Sequence, residues 1–296
     1  MDRKGWTGSF ALLLAAMIWG GSFVAQTKGL EVMPPIAYNG IRLLIGAAVL
    51  FPVALLRRKM QPNRLPPLRR KDLVGSMICG VLLAAASNVQ QFGLLYTTAG
   101  KSAFVTTLYV VFVPLIGLFF RKRIGVRGWI GTVMAAVGLF FLCVTESFSI
   151  NRGDMITLLC ALFFAFHILA VDRYSLDMDG IELSMIQFFT AGVICMVYVA
   201  FAERFTLSQI ISCRWMLLYS GVLSCGVAYT AQVIGQQHTP PALASLLMCL
   251  ESVFAALFGW IILGEVLNGR EWLGCILMFS AIVISQMPER SKKVKA

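Results

Sequence analysis

One stretch of this chain is written twice. Moving along by 142 positions carries Gln90, Gly93, Thr97, Leu108, Val111, Phe112, Leu115 and Gly117 onto Gln232, Gly235, Thr239, Leu250, Val253, Phe254, Leu257 and Gly259. One more residue of slip carries Arg127, Trp129 and Gly131 onto Arg270, Trp272 and Gly274. An apolar chain matches Leu and Val positions by bias alone, but not Gln, Gly, Thr, Trp and Arg in one register. The fold must therefore be two related units, and a repeat of this kind outranks any local reading of elements.

Each unit is made of membrane-length apolar stretches. In Thr239–Glu265, Thr239 reads as a helix cap, Pro240 and Pro241 belong to a first turn, and Gly264 and Glu265 mark the end. About twenty apolar residues lie between, enough to cross a ~30 Å hydrocarbon core at ~1.5 Å per residue. Ten such spans can be drawn: 8–26, 36–56, 73–95, 102–120, 126–144, 154–171, 183–202, 215–234, 242–263 and 272–287. With 58% hydrophobic and 13% charged residues in 296, against ~25% charged in a soluble domain, no soluble catalytic domain fits. The N-terminal stretch is read as a first span, not as a cleaved signal, because no small-x-small site follows it. The eight cysteines form no CxxC pair, and no cofactor or metal is called for.

The net charge of +11 sits in a few loops, the pattern of membrane orientation and not of nucleic-acid binding. With the N-terminus inside, eighteen Lys and Arg fall on the inner side and six on the outer, Arg42 being within a span. Both termini are thus expected in the cytoplasm, in a multi-pass protein of the cell membrane. Five spans per unit is an odd number, so the second unit enters the bilayer upside down. Inverted repeats are a recurrent plan of secondary transporters, with the substrate site near the midplane where the halves meet.

The segments MIWGGSFVAQ in span one, Arg42 at the start of span two, YTTAGKSAFVTTLYVVFVPLIG around span four and LESVFAALFGWIILGE in span nine resemble the EamA family of the drug/metabolite transporter superfamily. The resemblance implies an all-α membrane protein of ten transmembrane helices in two inverted five-helix repeats around a central cavity. Residues 1–146 form the first repeat, 152–288 the second and 289–296 a basic tail. It also implies that spans one, three, four, six, eight and nine line the cavity, with five and ten peripheral. One departure is Ser252, where the family often has proline after the span-nine glutamate; a kink there is not expected, whereas Pro114 should kink span four near Val110.

Candidate site residues follow from polar groups within spans. Glu251 is the sharpest, one acid among Ala244, Leu247, Met248, Phe254, Ala255 and Phe258; it reads as a proton-binding site, or as a carboxyl tied to a neighbour. Tyr109 is its repeat counterpart and a donor to Glu251 or to substrate. Asn88 and Gln91 in span three read as cavity lining, Gly80 and Ala84 as packing. In span eight Tyr229, Gln232 and Gln236 supply similar groups, for substrate or for holding the halves together. His167, followed by Asp172, is either a proton shuttle or a hydrogen-bonded bundle residue. Trp19, Ser22 and Gln26 share one side of span one, Trp19 as an aromatic wall or a lipid contact. Arg42 reads first as snorkelling outward near Lys101, and otherwise as the cation of an anion-attracting vestibule. Gly128, Gly131, Ala135 and Gly138 form a packing face, either within the chain or against a second copy.

These readings converge on a transporter moving a small organic metabolite (an amino acid, amine or drug-like compound) by alternating access, coupled to protons through Glu251; that it works as an exporter is what the family resemblance implies. Its partners are that solute, the lipid bilayer and protons, in a monomer or homodimer. An intramembrane enzyme would need paired acids, HExxH, GxSxG or a His–acid cluster, and none is in the sequence. A scaffold or sensor subunit is the other alternative.

Overall fold

The computed structural model describes residues 3–61, 65, 67–97, 99–122, 124–143, 152–176, 178–263 and 268–287. The tail 289–296, the join between the repeats up to residue 151, and Gly264 and Glu265 lie outside the described residues. The described elements are all helical. In the first repeat, spans one to three are α1 (Arg3–Leu30), α2 (Pro35–Met60) and α3 (Arg70–Leu94). Span four is divided into α4 (Ala99–Thr107) and α5 (Tyr109–Phe119), and span five is α6 (Val126–Cys143). In the second repeat, spans six and seven are α7 (Arg152–Tyr174) and α8 (Gly180–Ala202), followed by a short α9 (Leu207–Ser212). Span eight runs from α10 (Arg214–Leu218) through a π-helical segment, Tyr219–Tyr229, into α11 (Thr230–Gln236). Span nine is α12 (Pro241–Met248) and α13 (Glu251–Leu263), and span ten is α14 (Gly269–Gln286). Among the described residues, eight helical rods are long and apolar enough to cross a membrane, and α6 is a shorter apolar helix. Large apolar side chains such as Phe51, Phe119, Phe189 and Phe201 point outward, as a hydrocarbon surround requires.

Helix starts follow local chemistry. Pro34 and Pro35 open α2, and Pro240 and Pro241 open α12, because a first turn needs no proline N–H. The cap of α12 is therefore Pro240 and not Thr239, whose Oγ1 is buried without a hydrogen-bond partner among the described residues. Asp179 caps α8 by accepting from the N–H groups of Ile181 and Glu182. Asn268 and Glu271 close a reciprocal capping box at α14.

Glycine contacts prove the inversion. A Cβ on Gly131 of α6 would lie 2.9 Å from the carbonyl of Ala281, and one on Gly274 of α14 would lie 2.7 Å from the carbonyl of Gly138. Gly131 and Gly274 are repeat partners, and so are Gly138 and Ala281. Each contact is thus the other with the halves exchanged, which is a two-fold relation. Because α6 rises as α14 falls, the axis is perpendicular to the helices and lies in the membrane plane. Gly153 approaches Gly93 and Thr97, and Gly8 likewise approaches their repeat partners Gly235 and Thr239. Gly131 and Gly138 of the small-residue face of α6 are accordingly covered from within the chain, by α14, whereas Gly128 meets only Ile124. These two helices pack most extensively on each other and stand at the periphery.

Both copies of the fourth-type span are interrupted at matching positions, at Leu108 and at Cys249–Leu250. Span nine is therefore broken despite Ser252, contrary to the expectation from the missing proline. Side chains compete for the carbonyls at each break: Thr107 Oγ1 donates to the carbonyls of Ala103 and Phe104, and Cys249 Sγ to that of Leu246. The chain passes through tighter bonds there, Leu108 N–H to Val105 and Leu250 N–H to Leu247.

Candidate substrate cavity

The breaks place Tyr109 and Glu251 at the first positions of α5 and α13. Tyr109 Oη donates to Glu251 Oε1 at 3.4 Å. A residue can touch its own repeat partner only on the symmetry axis, so this pair marks the axis. It lies on a narrow cavity with about 40 Å³ of enclosed volume, within about 480 Å³ of empty space that includes open solvent.

Six spans supply most of the wall, and they are one, three, four, six, eight and nine. From α1 come Trp19, Ser22, Phe23 and Gln26; from α3, Gln90; from span four, Thr106 and Tyr109. From α7 come Phe164 and Ile168, from span eight Ser224, Tyr229 and Gln232, and from span nine Met248 and Glu251. Span two adds Arg42. Trp19 and Tyr229 meet edge to face at 4.7 Å, and Phe188 backs Tyr229 at 5.6 Å, giving an aromatic wall held from behind. Ser22 Oγ donates to Ser224 Oγ at 3.1 Å, joining the two repeats across the cavity. Glu251 is 5% exposed.

Of the residues singled out above, Trp19, Ser22, Gln26, Tyr109, Tyr229, Gln232 and Glu251 are brought together on this wall. Arg42 joins them: at 3% exposure it does not snorkel, and its Nε donates to Asn39 Oδ1 at 2.8 Å. The side chain of Lys101 lies outside the described residues. Gln91, Asn88, His167 and Gln236 stand behind the wall. Gln91 Nε2 donates to Gln26 Oε1 at 2.7 Å, Asn88 Oδ1 accepts from Asn39, and Gln236 accepts from Gln232 at 3.0 Å while donating to the Ile168 carbonyl. His167 is fully buried against Gln187 at 3.0 Å, with its ring 6.2 Å from that of Tyr229. Asp172, its neighbour in sequence, pairs instead with Lys122.

Sequence reasoning passed over Thr106 and Ser224, and took Gln90 only as the repeat partner of Gln232, the pair serving either to hold the halves together or to contact substrate. Gln90 Nε2 donates to Thr106 Oγ1 at 3.2 Å. The signal for Gln90 was available, because the duplication matches it to Gln232. Two wall atoms are buried without a protein hydrogen-bond partner among the described residues: the donor Trp19 Nε1 and the acceptor Gln232 Oε1. A solute with both donor and acceptor groups would satisfy them.

The EamA-like transporter family matches residues 6–144 and again 151–287, one match per repeat. The chain belongs to the EamA-like transporter family. It is 31% identical over 276 residues to an uncharacterized transporter of Archaeoglobus fulgidus, covering 92% of this chain and 83% of that one. It is 23% identical to the uncharacterized transporter YoaV of Bacillus subtilis, over 96% of this chain and 98% of the relative. It is 26% identical to the uncharacterized inner membrane transporter YedA of Escherichia coli, over 93% and 89%. A solved crystal structure at 16% identity superposes with a TM-score of 0.75 over 94% of this chain and 96% of that one, which establishes the fold alone. This EamA-like protein is thus a multi-pass membrane protein of a transporter family, and a lipid bilayer and a small-molecule solute are its natural partners.

Proposed function

We propose that this protein carries a small organic metabolite, of the size of an amino acid or amine, by alternating access, and that it works as an exporter coupled to protons through Glu251. The observation that supports this most directly is the Tyr109–Glu251 contact at 3.4 Å on the two-fold axis, beside the cavity. Two inverted halves can exchange conformations, and the exchange turns a cavity open on one face into a cavity open on the other. An acid on the axis keeps its place through that exchange while the face it communicates with changes. It can therefore take up a proton from one side and release it on the other. Cytoplasmic termini, in accord with the Lys and Arg distribution, complete the reading.

The test is transport in proteoliposomes. Glu251→Gln keeps the hydrogen-bonding shape and removes the titratable group. Flux driven by a pH gradient should fall to the level of empty liposomes while solute exchange without a gradient persists. Gradient-driven flux at the native level in this variant would rule out the coupling, and absence of exchange by the native chain across a broad solute panel would rule out the carrier.

A further inference from the structure

Resting on the transport reading, we infer that the cargo carries a carboxylate, that Arg42 is its seat, and that Asn39 is the positioning residue that holds the seat. Arg42 lines the cavity and is 3% exposed. A guanidinium is a cation with five donors in a planar fork. One of them, Nε, is committed to Asn39 Oδ1. The two terminal amino groups have no hydrogen-bond partner, and Arg42 forms no ion pair, among the described residues. A cation withdrawn from water without a counter-charge is costly. The obvious protein counter-ion is on the same wall, yet Glu251 is engaged by Tyr109 and does not meet Arg42. With Nε taken, what remains is the end-on pair of amino groups, the edge that fits the two oxygens of a carboxylate.

Asn39 is built to keep that edge in place. It is fully buried, and its Nδ2 donates to Ser87 Oγ at 2.9 Å and to Asn88 Oδ1. Those two acceptors fix the amide, so its oxygen must face Arg42. Ser87 is itself anchored on the Leu83 carbonyl at 2.7 Å. Asn88, read from the sequence as a cavity residue, thus acts two steps behind the cavity. The solute's carboxylate would supply the missing counter-charge, and Trp19 Nε1 is a further unpartnered donor on the same wall.

The experiment is thermal unfolding of the purified full chain in detergent at low ionic strength. The probes are L-leucine, 4-methylpentanoate and 3-phenylpropionate, each compared with its own primary amide. At least one carboxylate should raise the unfolding midpoint where its amide does not, and Arg42→Gln should abolish that difference. Asn39→Ala, which keeps the charge but frees the guanidinium, should weaken the carboxylate's apparent affinity by about tenfold, the scale of one charge-assisted hydrogen bond. Arg42→Lys, a point charge without the fork, should fall between the native chain and Arg42→Gln. If Arg42→Gln fails to give a monodisperse protein, the Lys and Asn39 variants decide. The seat is overturned if no carboxylate outperforms its amide, or if the Arg42 variants respond as the native chain does; an unchanged Asn39→Ala overturns the positioning role. Counterflow in proteoliposomes separates this from the carrier reading. Exchange of carboxylate solutes undiminished in the Arg42 variants leaves the carrier standing and removes the seat, whereas Arg42-dependent carboxylate binding without any exchange by the native chain does the reverse.

Discussion

The two repeats are nearly interchangeable at their edges and differ at their meeting point. At the periphery α6 and α14 pack through the same glycine positions in both directions, Gly131 against Ala281 and Gly274 against Gly138. On the axis the duplication places Tyr109 opposite Glu251, a phenol facing an acid. In the third-type span, α3 is a regular α-helix, whereas its counterpart is π-helical from Tyr219 to Tyr229. Symmetry is kept where the halves must fit in either conformation. It is lost at the meeting point, where the proposed site for cargo and proton lies.

The largest expected effect comes from moving the acid across the axis. Glu251→Tyr should reduce gradient-driven transport to background. Adding Tyr109→Glu restores one acid and one phenol with the halves exchanged. If the axis is where the chemistry happens, the double variant should recover a measurable fraction of the flux that the single variant lacks. A double variant as inactive as Glu251→Tyr alone would show that Glu251 depends on its own half's surroundings, and the axis argument would fail.

The edges give the next effect, in stability. Alanine at Gly274 would put a methyl 2.7 Å from both the Gly138 carbonyl and the Leu142 backbone nitrogen, and alanine at Gly131 would meet the Ala281 carbonyl at 2.9 Å. Backbone cannot swing aside as a side-chain tip does, so both variants should lose about 1–3 kcal/mol, the usual cost of overpacking. Gly128→Ala is the control. Its nearest neighbour would be Ile124 Cβ at 3.5 Å, an ordinary contact, so it should be neutral or up to about 1 kcal/mol more stable through helix propensity. Denaturant titration in micelles reads all three. A large difference between Gly131→Ala and Gly274→Ala would break the claim that the peripheral pair is symmetric.

How far the sequence reaches depends on what each feature requires. The repeat, the count of spans and the peripheral glycine face were legible because they rest on residue identity and span length. The cavity wall was legible in α1, where Trp19, Ser22 and Gln26 keep one helical phase. It was not legible in α3. Adjacent residues on a helix point about 100° apart, so choosing Gln91 over Gln90 meant choosing the face that holds Gln26 over the face that meets Thr106. Arg42 was misplaced because its burial depends on Asn39, which α3 holds through Ser87 and Asn88, a tertiary fact. The interruption at Cys249–Leu250 had no proline to announce it, and the π-helical turn left no mark on hydropathy.

That π-helical segment sets the smallest of these effects. Gly226 lies within it, and a Cβ there would meet nothing closer than the Gly221 carbonyl at 3.6 Å. Alanine fits, and it favours α over looser windings by up to about 1 kcal/mol in soluble helices. If packing of α1 and α2 against the segment sets its winding, Gly226→Ala should change stability by less than about 1 kcal/mol and leave transport within about twofold, a shift smaller than that energy could produce if fully expressed. If instead the winding is an equilibrium used during transport, the alanine should tilt it. Rewinding to α would rotate Tyr229 and Gln232 away from the cavity, since Tyr229 ends the segment and Gln232 follows it on the same rod. Turnover would then fall well beyond twofold with stability unchanged or raised. Measured together, stability and turnover of this one variant decide whether the asymmetric span is a fixed wall or a moving part.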